Sequence, residues 1–117
     1  MASSYQYLLN IFSRGLPSNR MPQWSFLSNH GAVLALIAQN KAIKATDIAA
    51  QLELTERSVR RIIADMYNEG YIKKKYEGGV NHYEIIGEMP LRRKAQQNVN
   101  IRELLKALGL KFEAEDT

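Results

Sequence analysis

The chain contains no cysteine, so disulfides, thiolate metal sites and cysteine nucleophiles are excluded together. Its two histidines, His30 and His82, stand far apart in sequence without a carboxylate cluster beside either, and no metal is expected. The longest apolar run, Ala32 to Ala38, falls far short of the roughly 20 residues that cross a bilayer. The first residues also lack the basic start and apolar stretch of a secretory signal, which leads to the expectation of a cytoplasmic protein without a membrane partner. Gly78-Gly79 is a turn pair and not a phosphate-cradling loop. Asp47, a histidine and a serine can be drawn as a triad, but no nucleophile elbow accompanies them. Neither a catalytic group nor a cofactor is expected, and the chain is not read as an enzyme.

What is present is an ordinary globular composition. The chain has 117 residues, 45 % apolar and 24 % charged, enough for one hydrophobic core. The formal charge is +4, but Glu113, Glu115 and Asp116 crowd the last five residues. Residues 1–112 therefore carry sixteen basic side chains against nine acids, a net +7. That excess suits an anionic partner without requiring one.

Apolar spacing predicts the elements. Tyr5, Leu8, Leu9 and Phe12 stand at i, i+3, i+4 and i+7 of a helix over 4–14, with Ser4 as its cap; Pro17 and Pro22 mark a linker after it. Ser28 caps a helix to about Gln39 that is apolar nearly all round, as a buried scaffold helix is. Ala42-Ile43-Lys44 reads as a very short strand, and Thr46 as the cap of a two-turn helix carrying Ile48 and Leu52. Thr55 caps the next helix, with Val59, Ile62, Ile63 and Met66 inward and Gly70 as its stop. Strands at 71–76 and 82–86 flank the Gly78-Gly79 turn, and Leu91-Arg92-Arg93-Lys94 is basic and irregular. A last helix over 98–109 places Ile101, Leu104, Leu105 and Leu108 on one stripe.

A short helix, a tight turn, a second helix with arginines on its outer face and a basic hairpin form the order in which small domains present a helix to DNA. The outward positions near the start of the second helix are Glu56, Arg57, Arg60 and Arg61. An arginine there pairs two-pronged with guanine O6 and N7. Arg57 and Arg60 are the expected base contacts, with Arg61 at a base or a phosphate. Thr55 and Ser58 suit phosphate oxygens. On the hairpin, Lys73 and Lys75 share one face while Lys74 points away. Lys73, Lys75 and Asn81 are the expected wing contacts, although edge-strand lysines also serve to discourage aggregation.

The stretch Asp47-Ile48-Ala49-Ala50-Gln51-Leu52, Thr55-Glu56-Arg57-Ser58-Val59-Arg60-Arg61-Ile62-Ile63 and Asn68-Glu69-Gly70-Tyr71-Ile72 resembles the winged helix–turn–helix of MarR-type transcriptional regulators. Asn81-His82-Tyr83 after the glycine pair is similar to the return strand of the wing in such proteins. The resemblance covers about residues 24–90. It implies an α+β, mostly helical fold that binds double-stranded DNA as a dimer, with the recognition helix in the major groove and the wing on backbone or minor groove. MarR-type proteins carry long helices at both ends; here one short amphipathic helix is expected at each terminus. A small-molecule effector is therefore left open. ArsR-type metal sensors share the unit but sense through cysteine or histidine clusters, which this chain lacks.

The resulting expectation divides the chain into an N-terminal helix and linker (1–23), a DNA-binding winged helix–turn–helix (24–90) and a C-terminal helix with an acidic tail (91–117). The two terminal stripes either pack on the chain's own core or build a symmetric homodimer, and the second is favoured. The function expected is that of a sequence-specific regulator of transcription. The alternative is a winged-helix module that binds another protein.

Overall fold

The computed structural model describes residues 25–110; the expected helix over 4–14 lies outside them. The elements are α1 (Asn29–Gln39), α2 (Ala45–Leu52), α3 (Glu56–Asn68), β1 (Ile72–Glu77), β2 (Val80–Ile85), a 3-10 turn (Lys94–Gln96) and α4 (Ile101–Ala107). This is an α+β winged helix–turn–helix, as the sequence pattern predicts.

Local chemistry sets each boundary. Ser28 caps α1 by accepting the Gly31 N–H, and Thr55 caps α3 by accepting that of Ser58. α1 buries five consecutive residues, Val33 to Ile37, so it is surrounded by the rest of the fold. α3 stops in a Schellman motif: Gly70, at φ 87°, donates to Tyr67 O, and the Tyr71 N–H reaches Met66 O at 2.8 Å.

Two expectations are corrected here. Thr46 does not cap α2, which begins at Ala45 with Lys44 in the cap position and no side-chain cap bond. Residues 42–44 do not form a strand. The Asn40 side chain accepts the Ala42 N–H at 3.0 Å and the Asn40 carbonyl accepts that of Ile43, which winds the chain into a turn. One backbone bond ties this turn to the wing, from the Tyr83 N–H to Lys41 O at 2.8 Å. The sheet described is the antiparallel pair β1–β2, with Ile72 opposite Ile85 and Lys74 opposite Tyr83. Its two-residue turn has Gly78 and Gly79 at φ 64° and 82°, the positive values that only glycine takes cheaply.

One core joins the four helices and the two strands. Ile37, Ile48, Val59, Ile72, Ile85 and Leu105 are among its fully buried side chains. α4 begins in a complete capping box between Asn100 and Glu103 and buries Ile101 and Leu105 in that same core. Ile101, Leu105 and the partly buried Leu108 of the C-terminal stripe expected at a dimer interface thus pack within the chain, while Leu104 keeps partial exposure. Leu105→Ala is expected to destabilise the whole domain by about 2–5 kcal/mol through reduced burial and the cavity left behind. A denaturant midpoint followed by circular dichroism checks this. A change under about 0.5 kcal/mol would mean that α4 is not part of the core.

Candidate nucleic-acid interface

The burial of α3 decides what the helix presents. Val59, Ile62, Ile63 and Met66 are buried, forming one stripe of a 3.6-residue period. The ridge opposite this stripe falls at Arg57, Arg61, Ala64 and Asn68, all exposed. Arg57 and Arg61 have no acidic partner among the described residues, so both guanidiniums are uncommitted.

The other expected positions lie off that ridge. On the flank toward α1, Asp65 accepts from His30 Nε2 at 2.9 Å, which gives this histidine a structural partner. Thr55 and Ser58 are turned on one another: Thr55 donates its hydroxyl to Ser58 Oγ at 2.9 Å and accepts the Ser58 amide at 3.0 Å. Arg60 lies on the flank toward the wing, where its Nε donates to Glu56 Oε2 at 3.0 Å and its Nη2 joins the same oxygen. Burial pushes the Tyr83 phenol up, while Asn81 and the nearby Arg60 guanidinium act in the opposite sense.

The two faces of the wing differ in charge. Lys73 and Lys75 lie together on the outward face, as strand alternation predicts, but Glu84 stands opposite Lys73 and Glu77 is 3.9 Å from Lys75. Acid and base balance there. His82, opposite Lys75, closes onto Glu77 O at 3.2 Å. The inward face carries Ile72, Lys74 and Tyr76 on β1, and Asn81, Tyr83 and Ile85 on β2. Lys74 sits over the Tyr67 ring, 4.7 Å from its centre, and so ties the wing to α3. Tyr76 is 73 % exposed near the tip.

Between this inward face, the flank of α3 and the start of α2 runs an open groove lined by Lys44, Thr46, Arg60, Tyr76, Asn81 and Tyr83, among others. Sequence reasoning assigned no role to Lys44, Ala64, Asn68 or Tyr76. Ala64 and Asn68 follow from extending the spacing of Arg57 and Arg61 by one and two turns; Tyr76 follows from strand alternation.

Residues 27–73 match the family model of the winged helix-turn-helix DNA-binding domain. The match runs from the turn before α1 into the first wing strand, so it takes in α1, α2 and α3. The match accords with the winged helix–turn–helix architecture described above. No curated protein and no solved structure matches the chain. No helix among the described residues is long and apolar enough to cross a membrane.

Thr55 is the point where this geometry is easiest to disturb. Thr55→Ala removes the cap of α3 and is expected to cost about 1 kcal/mol, visible as a lowered thermal midpoint. Thr55→Ser keeps the oxygen and is expected to stay within about 0.5 kcal/mol of the parent; equal losses in both variants would rule out the cap as the cause.

Proposed function

We propose that this protein is a sequence-specific, DNA-binding regulator of transcription of the MarR type, acting as a homodimer with residues 24–90 as its reading unit. The observation that carries this reading is the α3 ridge, where Arg57 and Arg61 stand exposed beside the small Ala64 with no acidic partner among the described residues. Two free guanidiniums one helical turn apart match the fork geometry that recognises guanine in the major groove. Ala64 adds no bulk that would hold the helix away from the bases, and it suits a thymine methyl group. Glu56, Arg57, Arg60 and Arg61 all lie within the first turn and a half of α3, the portion that meets base edges in helix–turn–helix proteins.

Ser58, to which Thr55 donates, then offers its hydroxyl proton to a phosphate oxygen at the helix start, and the wing, with Lys73 and Lys75 on its outward face and Asn81 on its inward face, lies along backbone or minor groove. A dimer supplies two such helices to half-sites about 34 Å apart. Leu104, half-buried on α4, and the sequence spacing of Tyr5, Leu8, Leu9 and Phe12 are the apolar candidates for joining two copies, within residues 1–23 and 91–117. Such a role implies a cytoplasmic location beside the DNA.

Fluorescence anisotropy with genomic fragments, followed by the selected duplex against a scrambled one, tests the reading. Arg57→Ala and Arg61→Ala are each expected to lower discrimination by about 1–3 kcal/mol, roughly fivefold to more than a hundredfold. Unchanged discrimination in the double variant would remove the ridge from base reading. Absence of salt-dependent duplex binding in the parent protein would favour the protein-interaction module instead.

A further inference from the structure

We infer that the basic loop between the wing and α4 is the docking surface for the chain's own acidic segment, with Arg93 and Lys94 receiving carboxylates from Glu113, Glu115 and Asp116. The contact joins two features to which the DNA-binding reading gives no role, and it does not depend on that reading.

Charge is the first argument. Residues 89–102 hold Arg92, Arg93, Lys94 and Arg102 and no acid, whereas residues 113–116 hold three acids and no base. Arg92 is paired with Glu69 at the end of α3, 3.2 Å away, and Arg102 lies 4.0 Å from Glu88. Arg93 and Lys94 are exposed neighbours, and neither pairs with a carboxylate among the described residues. The charge left over on the loop is therefore opposite in sign to the charge beyond α4.

The second argument is that the loop is already built. Its base is closed by the Leu91 N–H on Val99 O and the Ile101 N–H on Met89 O, both at 2.9 Å, and Leu91 packs against the core. A 3-10 turn over Lys94–Gln96 follows Arg93, and Gln97 Nε2 donates back to Arg92 O at 3.4 Å. A single exposed ion pair contributes little, because ordering two long side chains costs entropy. Here the backbone under two adjacent cations is fixed before any acid arrives, which lowers that cost.

Reach is the third argument. Leu110 is buried and its N–H donates to Leu105 O at 2.9 Å, so the acidic segment departs from the C-terminal end of α4. The loop closes at the other end of this seven-residue helix, about 10 Å away at 1.5 Å per residue. An extended chain covers about 3.3 Å per residue, which carries Glu113 about 10 Å and Asp116 about 20 Å from Leu110. Glu115 and Asp116 thus span α4 and reach the loop. A tether of so few residues holds them there at an effective concentration on the order of millimolar, which favours the chain's own loop over a second copy. Arg57 and Arg61 are more remote, about 18 and 12 Å back along α3 from Glu69, where Arg92 meets that helix.

The absence of cysteine allows one nitroxide to be attached through Ala114→Cys in the full chain. Amide intensities are followed with label and isotope on the same molecule, and in a mixture where the label sits on an unobserved copy. If the segment docks on its own loop, intensity loss is greatest at residues 92–97, occurs in the first sample alone and disappears with Arg93→Gln/Lys94→Gln. It also fades as the Debye length falls from about 10 Å at 0.1 M salt to about 3 Å at 1 M. No localised loss, or loss centred on Arg57 and Arg61, overturns the proposal. Equal loss in the mixture overturns the assignment to the chain's own loop.

A second readout asks whether the acids act on the loop or through net charge alone. Glu113→Gln/Glu115→Gln/Asp116→Asn is expected to raise the salt at which the chain leaves a heparin column. The rise is smaller when Arg93→Gln/Lys94→Gln is also present, because the acids then have no loop cations to release. Equal rises in both backgrounds overturn the docking. Thermal melts check that the double variant is folded; should it melt early, Lys94→Gln alone replaces it with the same expectations.

Discussion

The packing of one helix stripe governs the molecule. α3 is a rigid rod, so burying Val59, Ile62, Ile63 and Met66 leaves no freedom in what the other sides present. Arg57, Arg61, Ala64 and Asn68 must face outward; Arg60 and Tyr67 must face the wing; Ser58 and Asp65 must face the α1 side. The burial of these four side chains, each contributing about 1.5–3 kcal/mol, is far larger than any exposed ion pair on the same helix. The apolar stripe thus sets the orientation, and the charged residues take the places it leaves to them.

The wing obeys the same logic with a period of two. Ile72, Tyr83 and Ile85 anchor the inward side in the core, so Lys73 and Lys75 are carried outward, where Glu77 and Glu84 meet them. A lysine run in the sequence looks like one basic patch. The strand splits it into a neutralised pair and a single Lys74 held over an aromatic ring.

Much of this was legible in the sequence. Ser28, Thr55, Gly70 and the glycine pair are local signals whose chemistry acts within four residues, and the structure uses each of them as a cap, stop or turn. The strand expected at 42–44 failed because Asn40 captures the neighbouring amides in a turn, a contest between local and cross-strand bonding that β-propensity does not register. The cap of α2 was misplaced because the helix starts one residue earlier, at Ala45, with no capping side chain to mark it. The turn between α2 and α3 has no glycine; Glu53 itself takes the left-handed conformation, at φ 58°, because the Glu53 and Leu54 amides both close on Ala49 O. At the site, the pattern identified which helix carries the arginines. It did not separate Arg60 from Arg57 and Arg61, since that depends on which neighbours occupy each flank, and the neighbours come from distant parts of the chain.

The clasping of α3 on both sides bears on how its grip on a partner can be changed. His30 holds Asp65 on one flank, Lys74 covers Tyr67 on the other, and the Schellman turn fixes the far end against Tyr71. With Val59, Ile62, Ile63 and Met66 locked in the core beneath these contacts, the helix cannot roll about its axis to withdraw its arginines while the domain stays folded. Under the proposed reading, release then comes from outside the helix, through a change in the spacing of two copies or a competitor laid across the exposed face. The rigidity that aims the arginines makes the outer side of α3 a fixed surface, and it moves the point of control to whatever positions that surface.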